Sequence, residues 1–484
     1  MPIGKLRIYN SLSKKKELLK PKNKKLVNIF VCGPTVYDFS HIGHARTYVI
    51  LDCFVKYLKF IGFKVFYLQN ITNIDDKIIA RAREKKVFPK DLAIAFEKNY
   101  LKDMKALMVD SVDKYARATD YIKEIISQIE RLLQKGYAYQ LEDGIYYDIS
   151  KFKNYGKLSG RNVLGAEDSV SRIDYSKNKK NRGDFCLWKL TERQNEEEPS
   201  WLSPFGKGRP GWHIEDTAIT EKFFGAQYDI HAGGRDLMFP HHEAEISQME
   251  AISGKKPMAQ YWMHTGFLTI DGQKMSKSLN NSVTIDDFLK RHSYQLLRFW
   301  LAKNLWHSPI DYSESMMIEV RMAQEKIEEF LRKIQNTKSQ TPNKSLSGGM
   351  QANSLKSKIQ NLLKKSKEDF YNALNDDFNT PKAFAVIFEL IKEVNKFLDE
   401  NVVDKKTSEQ IYKFFEEINS IFDIIDFKKL KQSNVPLEVE QLLKLRESYR
   451  KSENWQKADE MRLEIEKYGF LVDDTQNGPV LKKS

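Results

Sequence analysis

The strongest constraint on this chain lies between Val27 and Leu68, where three differently patterned segments follow one another. Val27–Val31 (VNIFV) is short and mostly apolar, which suits a buried strand, and a Gly33-Pro34 turn follows it. From His44 onward the period lengthens. Ile50, Cys53, Phe54, Tyr57 and Leu58 fall at i, i+3, i+4, i+7 and i+8, one apolar face of a helix. Gly62 then stands where a C-terminal cap belongs, and Phe63–Leu68 (FKVFYL) has the look of a second strand. Strand, helix and strand make a βαβ unit, the building block of a parallel sheet, so the expected fold class is α/β.

The remaining chain divides by pattern. Residues 77–135 alternate charged and apolar positions in long helical stretches, and Gly144–Ile149 and Asp184–Trp188 are expected to be extended. A second strand-rich block spans roughly 201–285, and helices dominate from about 314. Asn336–Ser354 is polar, rich in Gly, Ser and Asn and without apolar periodicity, which marks a linker. Beyond it Val386, Ile387, Leu390, Ile391 and Val394 form a helical stripe in an expected bundle over Leu355–Asp426, and Ser433–Pro436 precedes a compact tail. The expected organisation is a domain over 1–313 with an insertion around 130–230, a helical bundle over 314–430, and a tail over 431–484.

Composition removes several classes. With 484 residues and 41% hydrophobic content the chain can bury packed cores, which excludes wholesale disorder. No apolar run is long enough to span a membrane, and the lysine-rich start is not a secretory signal. Three cysteines exclude a disulfide framework and point to a reducing cytoplasm. A net charge of +13 favours a polyanionic partner.

Two motifs carry phosphate chemistry. His41-Ile42-Gly43-His44 follows a strand and opens a helix, whose N-terminal N–H groups and partial positive charge suit phosphate. The two histidines can donate to phosphate oxygens as charge develops, and the glycine lets a flat base approach the backbone. The second motif is Lys274-Met275-Ser276-Lys277-Ser278, in which two flexible point charges suit the clamping of a triphosphate.

Together these signatures resemble the class I aminoacyl-tRNA synthetases. The segments Cys32–Asp38 (CGPTVYD), Gly208–Glu215 (GRPGWHIE), Phe239–Glu245 (FPHHEAE) and Ala373–Pro381 (ALNDDFNTP), with Asn454-Trp455, narrow the likeness to cysteinyl-tRNA synthetase across essentially the whole chain. The resemblance implies a Rossmann-like catalytic domain whose insertion meets the 3′ end of tRNA, a helical bundle, and a small anticodon-binding tail. It implies that His41 and His44 contact the ATP phosphates and that Lys274 and Lys277 stabilise the departing pyrophosphate. Gly234 and Asp236 match the loop that holds ATP ribose and adenine. Cys32, Gly33, Thr72 and Trp212 match the cysteine pocket, and Trp455 beside Lys457 and Arg462 suits stacking on an anticodon base.

A metal site is also implied. His241 and Glu245, four apart, share one helical face, and Cys32 can add a thiolate, although spacing alone favours a surface pair and a buried thiol. In the family this position holds zinc, whose open coordination site takes the thiolate of substrate cysteine in preference to a serine hydroxyl. The family motif W-H-I-E-C supplies a second thiolate, whereas this chain has Asp216 there. Asp216 can ligate through oxygen, giving a harder Cys32/Asp216/His241/Glu245 set. The expected activity is ligation of L-cysteine to tRNA(Cys) using ATP with Mg²⁺ and zinc, by a monomer. A cysteine ligase acting on a non-tRNA amine, a small nucleotidyltransferase and a non-catalytic tRNA-binding paralogue are the other readings; the tail disfavours the first, the long helical half the second, and the two intact motifs the third.

Overall fold

The computed structural model describes residues 5–161, 178–191, 198–274, 281–339, 350–400, 402–432, 435–475 and 478–483. The chain forms two compact units. The first comprises residues 1–321, 364–387 and 417–424, and the second residues 322–363, 388–416 and 425–484.

In the first unit the expected βαβ element is present as β1 (Leu26–Val31), α1 (Ile42–Phe60) and β2 (Lys64–Ile71). β3 (Lys114–Arg117) follows, and further along the chain come α2 (Trp212–Phe224), β4 (Tyr228–Gly234), α3 (His241–Ser253) and β5 (Ala259–Thr265). The five strands form one sheet in the order β5-β4-β1-β2-β3, and every neighbouring pair is parallel. Residues buried on both faces explain the apolar runs, with Ile29, Phe30, Val31, Leu68, Ile230 and Ala232 essentially inaccessible. Strand order reverses direction at β1, so the crevice between the carboxyl ends of β1 and β4 is where such a sheet binds its ligands. Between β3 and α2 the chain forms an antiparallel sheet of Ala138–Leu141, Gly144–Tyr147, Phe185–Leu190 and Gly208–Pro210.

Asp52, on α1, is bound 2.8 Å from Arg298 Nη2, both fully buried. Arg298 also donates to the carbonyls of Leu107 and Phe422, so one guanidinium joins three distant segments of this unit.

The polar stretch expected as a linker over 336–354 is shorter than its composition suggests. The helix Glu314–Ser339 runs into it and another, Met350–Asn375, starts within it, while residues 340–349 lie outside the described set. Extending an existing helix adds one hydrogen bond per residue without a new nucleus, so weakly helical polar residues follow their neighbours. In the second unit the tail packs helices Leu437–Lys451 and Trp455–Lys467 against the hairpin Phe470–Thr475/Gly478–Lys483, around Val439, Ile465, Phe470 and Val472.

Candidate functional site

The H-I-G-H segment builds its own helix start. His41 is the N-cap in extended backbone. His41 Nδ1 accepts the His44 backbone N–H while His44 Nδ1 accepts that of His41, each at 3.3 Å. The two rings stack with centroids 3.8 Å apart. A ring nitrogen that accepts from an amide carries no proton, so in each neutral ring the proton sits on Nε2. The reciprocal cap therefore sets both imidazoles as Nε2–H donors at the positive end of a 19-residue helix.

The described segment that follows the lysine motif, from Val283 to Ile285, is tied to this point by backbone. The Ile42 N–H donates to Val283 O and the Ile285 N–H to Ser40 O, each at 3.0 Å. Lys274 ends the short strand Gln273–Lys274, and Lys277 lies outside the described residues. Gly234 closes β4 and caps the short turn Arg235–Met238, where a Cβ would stand 2.5 Å from Asp236 Oδ1; Asp236 is exposed.

At the carboxyl end of β1, Cys32 is 4% exposed and sits among the other expected ligands. Its Sγ lies 3.5 Å from Asp216 Oδ2 and 3.9 Å from Glu245 Oε1. His241 Nε2 lies 3.0 Å from each of those two carboxylates. One ligand atom from each of Cys32, Asp216, His241 and Glu245 lies within 4.8 Å of the others, a spacing and donor set that fit a zinc-class ion. Asp216 comes from the first turns of α2, while His241 and Glu245 come from one face of α3. α3 is buried from His241 to Ile252 although most of those side chains are polar, a pattern that packing alone does not call for. Glu245 Oε2, fully buried, has no hydrogen-bond partner.

Burial governs the protonation of this cluster. It pushes the Cys32 thiol up, with the Glu245 and Asp216 charges adding to the effect, and it raises Glu245 with Asp216 adding again. It pushes His213, His231 and His242 down, and His264 down to about 3. Burial thus favours the neutral forms of Cys32, Glu245 and these four histidines, and a bound cation would reverse that preference for Cys32 and Glu245.

Sequence reasoning missed much of the surroundings. Five of the nine histidines, His213, His231, His241, His242 and His264, are buried here, and their confinement to a stretch of about fifty residues was a readable signal. Asn70 donates from Nδ2 to Asp216 Oδ1 at 2.6 Å and accepts the Gly33 N–H at 2.5 Å. A Cβ on Gly33 would fall 1.7 Å from the Asn70 carbonyl oxygen, so only glycine fits there. Thr72 donates to Glu215 Oε2 at 2.9 Å, and Glu215 Oε1 is buried without a hydrogen-bond partner. Trp212 is not core packing alone. It is half-buried and stacks on His241 at 4.2 Å with a 12° tilt. In the other unit Trp455 opens its helix, is 56% exposed, and lies 5.6 Å from the Arg450 guanidinium.

Residues 18–322 match the family model described as tRNA synthetases class I (C) catalytic domain, and residues 369–426 match the DALR domain. The chain is 43% identical to the cysteine–tRNA ligase of Methanococcus maripaludis (strain C7 / ATCC BAA-1331) over 99% of both chains. It is 41% identical to that of Pyrococcus horikoshii, again over 99% of both. Among solved structures, the LeuRS–tRNA–LeuAMS complex of Agrobacterium radiobacter K84 superposes with a TM-score of 0.64 at 10% identity, covering 85% of this chain and 86% of that one. Mycobacterium tuberculosis methionyl-tRNA synthetase bound by methionyl-adenylate gives 0.61 at 14% identity, covering 82% and 92%. At such identities the likeness is one of fold.

Proposed function

The chain belongs to the cysteine–tRNA ligase family of class I aminoacyl-tRNA synthetases, and we propose that its site joins L-cysteine to tRNA(Cys) in two steps. In the first, a cysteine carboxylate oxygen attacks the α-phosphorus of ATP, the bond to the β-phosphate bridging oxygen breaks, and pyrophosphate leaves. In the second, the terminal 2′-hydroxyl of tRNA attacks the acyl carbon and AMP departs. Neither step needs a protein nucleophile; positioning and charge stabilisation supply the rate.

His41 and His44, with Nε2–H donors set by their reciprocal cap, meet phosphate oxygens as negative charge builds. Lys274 and Lys277 neutralise the departing pyrophosphate, and Mg²⁺ accompanies ATP. Gly234 and Asp236 hold the adenosine. Cys32, Asp216, His241 and Glu245 would hold zinc, which supplies a Lewis-acid position that prefers a thiolate to a hydroxyl. Gly33, Thr72 and Trp212 close the cysteine pocket around it. Trp455 offers an exposed ring for a tRNA base, and the protein works as a monomer.

The observation that carries this reading is full-length identity of 43% to a cysteine–tRNA ligase, joined to a buried Cys/Asp/His/Glu set at the switch point of the sheet. Amino-acid-dependent ATP–pyrophosphate exchange tests it. Exchange that requires cysteine, ignores serine and falls with a zinc chelator is expected; no exchange with cysteine refutes it.

A further inference from the structure

Cys32 has a second set of neighbours that the ligand set above does not use. Besides Asp216 and Glu245, His242 Nε2 lies 3.1 Å and His231 Nε2 3.3 Å from Cys32 Sγ. Glu245 reaches both sets: Oε1 meets His241 at 3.0 Å, and Oε2 lies 3.6 Å from His231 Nε2. That second oxygen is the fully buried one with no hydrogen-bond partner. Cys32, His231, His242 and Glu245 thus also bring four ligand atoms within 4.8 Å of one another.

We infer that Cys32, His231, His242 and Glu245 form a second position for a zinc-class divalent ion, sharing its thiolate and its carboxylate with the first. Each imidazole is held for the task by a partner on its far nitrogen. His231 Nδ1 lies 2.7 Å from the Tyr228 hydroxyl, and His242 Nδ1 lies 2.8 Å from His264 Nε2, whose own Nδ1 reaches Ser11 Oγ at 2.8 Å. Each far nitrogen thus has a partner able to accept its proton, and the tautomer with the proton there leaves the near nitrogen as a lone-pair donor. The carboxylate presents one oxygen to each position, the arrangement of a bridging ligand. The presence of Asp216 raises the importance of this second set. With an oxygen at 216 the first set is S/O/N/O, whereas the second is S/N/N/O and softer, so a borderline-soft ion gains by occupying it.

The inference depends on ligand geometry and is independent of aminoacylation, so exchange kinetics and metal spectroscopy fail separately. X-ray absorption of the zinc-loaded, full-length protein counts imidazoles per ion without any substitution. More than one imidazole per zinc supports the second position; one or none overturns it. The paired variant Asp216→Asn/His241→Gln provides the complementary reading by elemental analysis and by the thiolate charge-transfer band of the cobalt-loaded protein. Retention of one ion per chain with that band supports the second position. Complete loss of metal in that variant, with full occupancy kept in His231→Gln/His242→Gln, overturns it.

Discussion

Asn70 donates to Asp216 Oδ1 from 2.6 Å, and so turns Oδ2, the other oxygen of the same carboxylate, toward Cys32 and His241. The amide is fixed in turn by the Gly33 N–H on its oxygen, which rules out the flipped orientation. A carboxylate that replaces a thiolate has two oxygens and more freedom to turn, and Asn70 removes that freedom. Asn70→Ala is expected to weaken metal binding about 10–100-fold, the usual effect of losing an outer-shell partner. Competition of the purified protein with a chromogenic zinc chelator measures this, and an unchanged affinity would separate Asn70 from the centre.

Asp216→Cys restores a second thiolate in the first set. Zinc occupancy and cysteine-over-serine selectivity in pyrophosphate exchange should both rise, because sulfur ligands make the centre more thiophilic. Equal zinc content and equal selectivity in variant and parent would contradict the assignment of Asp216 as a ligand.

Lys277→Ala should slow cysteinyl-adenylate formation by on the order of 10²–10³-fold, the typical loss when one transition-state charge partner is removed. Cysteine binding should be nearly unchanged. Single-turnover pyrophosphate release, compared with equilibrium binding of cysteine, separates the two effects.

Trp455→Ala should raise KM for tRNA while leaving pyrophosphate exchange intact. One lost base–aromatic stack is worth about 1–3 kcal/mol, or roughly a 5- to 150-fold change. Equal KM values would return Trp455 to an ordinary exposed side chain.

The Asp52–Arg298 pair gives a pH-dependent test of stability. Burial pushes the Asp52 carboxyl up, but Arg298 and Lys56 outweigh it and hold it below the ordinary value. The folded value therefore lies under the unfolded value of about 3.9, so the stabilisation is complete above that pH and is lost as pH falls through the folded value. Asp52→Ala leaves Arg298 buried and unpaired, at a cost of about 3–5 kcal/mol near neutrality. Urea denaturation at several pH values should show the gap between variant and wild type closing below about pH 4. A gap that stays constant to pH 3 would mean that the loss comes from packing.

Local chemistry was legible in the sequence and three-dimensional company was not. The βαβ start, the helical spacing of His241 and Glu245 and the helix N-terminus at His41 follow from periodicity within single elements. The site around Cys32 depends instead on strand order, which brings the ends of β1 and β4 side by side although some 200 residues separate them. His231 reads in sequence as one more polar residue in a glycine-rich turn, and only the pairing of β4 with β1 puts it beside Cys32. At the two ends of the polar stretch 336–354 composition reports what a segment prefers alone, and the flanking helices extend into it at 336–339 and 350–354.

The ligands around Cys32 come from β1, α2, β4 and α3, so an ion bound there would pin together parts of the chain that meet only after folding. Whatever binds the folded state alone adds its affinity to the folding equilibrium, about 2.7 kcal/mol when the free ion stands at 100 times its dissociation constant. With an ion held there, zinc supply in a cell would also set how long each copy of the protein survives. Scarcity would shorten the lifetime of the chain as well as dull its choice between cysteine and serine, so the capacity to charge tRNA would follow the metal through abundance and accuracy together.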